Sequence, residues 1–150
     1  MNRLFLVLFV LLFVSCNREN DELPAVVNDD FTIEVTEVTT GTIKATITPK
    51  DKDMIYVAQV CQLSDSIEEV VENLFSDPDL TLSNIGVHIY LEYARDNNLD
   101  ILEFITQCNV GGKGTIELER NMLQPGAQHC IVALGSETYT NGNNTYFRAT

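Results

Sequence analysis

The stretch "LQPGAQHCIVALG", Leu123 to Gly135, decides the fold. A Leu-x-Pro-Gly corner runs straight into apolar, strand-forming residues. Pro and Gly supply the backbone angles of a tight turn. The run behind them is apolar at Cys130, Val132 and Leu134 and also at Ile131 and Ala133. Successive strand residues face opposite sides, so a strand apolar on both faces is covered on both. "MIYVAQVC", residues 54–61, has the same character: Ile55 and Val57 on one side, Tyr56, Ala58 and Val60 on the other.

Other segments alternate. "FTIEVTEV" sets Phe31, Ile33 and Val35 against Thr32, Glu34 and Thr36. "TIKATITP" sets Ile43, Ala45 and Ile47 against Lys44, Thr46 and Thr48. "GTIELER" sets Ile116 and Leu118 against Glu117 and Glu119. These are half-buried strands of a sheet with one wet face. Thr40-Gly41 turns the first pair, Pro49 and "KDKD" end the second strand, and Asn141 to Asn144 is hairpin-turn material before a last strand, "TYFRAT".

Residues 64–108 change period. Ile67, Val70, Val71 and Leu74 fall at helical spacing, with Asp65 and Glu68 as a capping-box variant. Leu82, Ile85, Ile89, Tyr90, Tyr93 and Ala94 mark a second amphipathic helix, and Asp100 can cap a short third, "ILEFITQC". Gly111 to Gly114 returns the chain to strand. The expected fold class is mainly β with an α insert (α+β). The insert is all that remains to cover the outer faces of "MIYVAQVC" and "HCIVALG", so Ile67, Val71, Ile85, Ile89, Tyr93 and Phe104 should point inward there. That placement brings Cys108 near the outward Cys130 and opens a disulfide between them.

Three strands, an insert, a strand, the corner, a strand, a hairpin and a strand: this order resembles a two-sheet fibronectin type III-like sandwich over residues 31–150. The insert at 64–108 stands where strand C′ would be, with its helices on the outer face of the C-F-G sheet. In that family the E–F corner reads Leu-x-Pro-Gly-Thr-x-Tyr. Leu123, Pro125 and Gly126 match, Ala127 replaces the Thr, and His129 stands at the Tyr. The resemblance implies that His129 is a structural corner residue whose imidazole bonds a backbone carbonyl, as the Tyr hydroxyl does. His129 and Cys130 are adjacent in a strand and face opposite ways, so they are not expected to act together as a catalytic pair.

The start of the chain gives an address. Met1-Asn2-Arg3 precedes eleven unbroken apolar residues, Leu4 to Val14. That is the length of a secretory signal core and too short for an ordinary span of about 30 Å. Ser15-Cys16 follows, which resembles a bacterial lipobox, with Phe13 where Leu is usual. The resemblance implies that residues 1–15 are a lipoprotein signal peptide and that Cys16 becomes the lipidated first residue. Residues 16–30 are acidic and polar, as expected of a flexible tether. Acidic residues behind such a Cys also resemble the surface-export signal of lipoproteins in Gram-negative gut anaerobes. The expected location is therefore the outer membrane, lipid-anchored, at the cell surface.

The remaining composition excludes more than it selects. Net charge is −13 and no basic cluster exists, so nucleic acid is not an expected partner. Without Trp, a sugar-stacking site is disfavoured. The sequence has no two-Cys knuckle, no His-x-x-x-His pair and no Asp-x-Asp-x-Asp-Gly loop, so neither metal nor cofactor is expected. Asp65-Ser66-Ile67 resembles an O-glycosylation site of those anaerobes at Ser66; the simpler reading places Ser66 in the first turn of a helix. The expectation is a non-catalytic surface lipoprotein with an unknown protein or glycan partner, acting in binding or assembly. The alternatives are a fimbrial or accessory subunit that pairs strands with its partner, and a small inhibitor or thiol enzyme.

Overall fold

The computed structural model describes residues 10–13, 25–27, 30–63, 82, 85–141 and 144–149. The strands are β1 (Val10–Phe13), β2 (Ala25–Val27), β3 (Phe31–Val38), β4 (Ile43–Pro49), β5 (Ile55–Gln62), β6 (Gly111–Lys113), β7 (Ile116–Arg120), β8 (Gln128–Asn141) and β9 (Asn144–Ala149). Between β5 and β6 lie α1 (His88–Asp96) and α2 (Ile101–Gln107). The fold is mainly β with added helices. One sheet runs β2-β3-β4-β7; the other runs β1-β8-β5-β6, with β9 also on β8. Every pairing is antiparallel.

Period-two patterning produces the first sheet as expected. Phe31, Ile33, Val35, Ile43, Ala45, Ile47, Ile116 and Leu118 are buried. They form one cluster with Tyr56, Ala58, Ile131 and Ala133 of the second sheet. The intervening residues make a polar outer face. There Thr46 Oγ1 donates to Glu117 Oε1 at 3.1 Å, and Lys44 lies 3.0 Å from Glu37.

The second sheet is apolar on both faces because both are covered. Away from the first sheet, Val57, Cys130, Val132 and Leu134 are buried with Leu82, Ile85, Val87, Ile105 and Val110. The described part of the insert therefore lies on the outer face of β5 and β8. Its phase differs from expectation. Ile89 and Tyr93 are 62% and 55% exposed, while Tyr90, Leu91 and Ala94 turn inward. Gly86, at φ +76°, breaks the chain, so α1 starts only at His88 and its apolar stripe is set afresh from Val87. Phe104 is half-buried and stacks on Tyr93, ring centroids 5.4 Å apart. The Asp100 cap forms as expected, its carboxylate accepting from Glu103 N at 2.8 Å. Ile67 and Val71 lie outside the described residues.

Three strands arise where no strand was expected; one is β6, where Gly111–Lys113 pairs with Ile55–Val57. Ala25–Val27, inside the stretch read as a tether, pairs with Thr32–Glu34 as β2. Three consecutive apolar residues supply it. Val10–Phe13, inside the apolar leader, pairs with Gln128–Ile131 as β1.

Candidate functional site

The candidate site is the first half of β8, where the corner, three thiols, an arginine and the β1 edge meet. The corner forms as the sequence requires. Ala127 N donates to Gln124 O at 3.3 Å across Pro125-Gly126, and Gly126 has φ +77°. Pro second and a left-handed Gly third is the pattern of a type II turn. Leu123 N donates to Gly41 O at 3.0 Å, tying the corner to the β3–β4 turn.

His129 follows at the base of β8, 1% exposed. Its Nδ1 has no hydrogen-bond partner, so the corner bond expected of it is not made through that nitrogen. The alternation of β8 turns His129 and Cys130 to opposite faces of the sheet.

The thiols meet on the helix-covered face. Cys61 stands opposite Cys130 in the β5–β8 register, and Cys108, the residue after α2, joins the same apolar cluster. All three are free thiols. Cys61 is partly exposed and Cys130 fully buried. The neighbouring Cys130 thiol, and more weakly the Arg120 guanidinium, hold the Cys61 thiol below its ordinary pKa. Cys130 is pushed well above its own by Cys61 and by burial. Arg120 reaches across from the end of β7. Its Nε donates to Gln59 Oε1 at 2.5 Å and its Nη2 to Asn109 O at 3.0 Å. Burial lowers the Arg120 pKa. The sequence placed Cys108 near Cys130 but hinted at neither the Cys61–Cys130 pairing nor the reach of Arg120, because Arg120 and Gln59 are joined only by the way the sheets pack.

On the far edge of β8, β1 runs antiparallel with Val10 opposite Ile131 and Leu12 opposite His129. Cys16 and Ser66 lie outside the described residues. Among the described residues there is no group of three His, Cys, Asp or Glu side chains able to hold a metal ion, and no helix long and apolar enough to cross a membrane. No protein-family model, curated protein or solved structure matches the chain.

Proposed function

We propose that this protein is a non-catalytic lipoprotein of the outer membrane, exposed at the cell surface. In this reading one fibronectin type III-like sandwich with a helical third layer acts in binding or assembly. The observation that carries it is Ser15-Cys16 directly behind eleven apolar residues. Acyl chains on Cys16 contribute about 0.8 kcal/mol per buried CH₂, and two signals together hold a protein at a bilayer. The packing supports the architecture: two sheets share one core, and the described helices cover the β5–β8 face. Fatty-acid labelling in cells tests the anchor. Wild type is expected to take up label and Cys16→Ser none; an unlabelled wild type overturns the reading.

A second reading has one specific observation in its favour. The protein is an assembly subunit that pairs strands with its partner. The support is β1: a segment within the leader already occupies a strand position on β8.

A further inference from the structure

β8 is a long strand with two edges. β5 lies along one edge from His129 to Ser136. The other edge is divided, with β9 holding Ser136–Asn141 and β1 holding Gln128–Ile131. The hydrogen-bonding direction follows from one contact. Leu63 N donates to Gln128 O at 2.8 Å, which turns the polar backbone groups of Gln128 toward β5. In an antiparallel ladder this direction alternates. Cys130 and Val132 therefore also face β5, and His129 and Ile131 face β1. With β1 in place, His129, Cys130 and Ile131 are 1%, 0% and 0% exposed.

β1 lies wholly inside the apolar run that precedes Cys16. Maturation at Cys16 removes it. The backbone groups of His129 and Ile131 then lose their ladder partners at an edge of an otherwise apolar sheet. Unmet backbone groups there are costly, and an open edge of this kind templates strand pairing.

We propose that the Gln128–Ile131 edge of the mature protein accepts an extended apolar strand from a different protein, running antiparallel to β8 in the seat of β1. This rests on the reading that the chain matures at Cys16. The chemistry of the occupant follows from the segment seated there, Val10-Leu11-Leu12-Phe13, apolar at every position. Such a strand suits a sheet covered on both faces, by the first sheet on one side and the helices on the other. A second copy of this chain does not supply it. After Cys16 the runs of four or more apolar residues are Met54–Ala58 and Cys130–Leu134, and these are β5 and β8 themselves.

The test uses the lipoprotein extracted from membranes in detergent. Mass spectrometry reads its N-terminus, and hydrogen exchange is followed in fragments covering residues 128–135. The probe is a synthetic peptide of residues 8–15 with a solubilising lysine tail; the control carries Leu12→Pro, which removes the amide opposite His129. The peptide is expected to slow exchange of this segment about tenfold or more, and the Pro control to leave it unchanged. A chain that begins at Cys16 and exchanges identically with and without the peptide overturns the acceptor edge and leaves the lipoprotein reading standing. A membrane-extracted chain that still carries residues 10–13 overturns both.

Discussion

Cys61 and Cys130 face each other directly across neighbouring strands, one half-buried and one sealed beneath the helices. The Cys130 thiol lowers the pKa of Cys61, and the thiolate is the reactive form. Cys61 is therefore expected to alkylate faster than Cys130, with its rate rising at a lower pH than an ordinary thiol. Cys130→Ala removes the main cause, so the Cys61 rate profile should move to higher pH. Iodoacetamide labelling read by mass spectrometry across pH 6–10, about the range in which thiols titrate, checks this. An unmoved profile would remove Cys130 as the cause.

The same register bears on disulfide choice. Directly opposite residues in a hydrogen-bonded antiparallel pair sit about 5.5 Å apart at Cα, inside the range a disulfide spans. Under mild oxidation with diamide, non-reducing peptide maps should show Cys61–Cys130 ahead of Cys108–Cys130. A map dominated by the second pair would mean that α2 moves its end onto β8.

Tyr56 gives a pH-dependent prediction. Its hydroxyl lies 2.8 Å from Gly114 O and 3.2 Å from Ile47 O, holding β5 to the β6–β7 turn and to β4. Tyr56→Phe takes this donor from the Ile47 and Gly114 carbonyls and should cost about 1–2 kcal/mol in urea melts at pH 8. Burial raises the pKa of Tyr56 above its ordinary 10.0. Above that value the unfolded chain loses the proton while the folded chain keeps it, so stability falls as pH rises. The Phe variant lacks this term, and the gap between the two proteins should narrow at about pH 11. A constant gap would show that the hydroxyl is not buried in solution.

Local rules in the sequence reach some of this fold and stop short of the rest. Alternation at Phe31, Ile33 and Val35, and the turn chemistry of Pro125-Gly126, depend on immediate neighbours, so they are visible. Double-sided apolarity at Val57 and Val132 requires a cover on each face, which places the helices. The stripe of α1 departs from the expected phase because the 3.6-residue period does not pass through Gly86, whose left-handed backbone resets it. The pairing of Cys61 with Cys130, the reach of Arg120 to Gln59, and the seats of β1 and β2 are register relations between distant segments. An apolar run such as Leu4 to Val14 reads alike as a leader or as a strand.

Two glycines separate crowding from backbone strain. A Cβ on Gly111 would lie 2.4 Å from Tyr56 O and 3.2 Å from the Ile105 Cδ1 methyl, because β6 presses against β5 under α2. Gly111→Ala must push the strands apart and should cost about 1–3 kcal/mol. A Cβ on Gly126 would meet nothing within 4 Å, and the only penalty there is its φ of +77°. Gly126→Ala should cost about 1–2 kcal/mol, and Gly126→Asn less, since Asn tolerates left-handed angles. Thermal melts that rank Gly126→Asn below Gly126→Ala would show that something other than the corner backbone selects glycine.

His129 is the sharpest case, because a polar ring is sealed where β8 begins and its Nδ1 has no partner. A buried polar atom without a hydrogen bond costs about 1–3 kcal/mol relative to one that is satisfied. Replacing the imidazole with an apolar side chain of similar size removes that cost and keeps the packing. His129→Leu should therefore melt at or above wild type. His129→Ala removes the same nitrogen but leaves a cavity beside β1, and should lose about 2 kcal/mol or more. Equal losses in the two variants would sink this account, because they would mean that the ring makes a hydrogen bond that Leu cannot replace. The expectation applies to the precursor with β1 in place. In the mature protein the contrast should persist only when residues 8–15 are supplied as a peptide, since the cavity needs an occupied edge to close it.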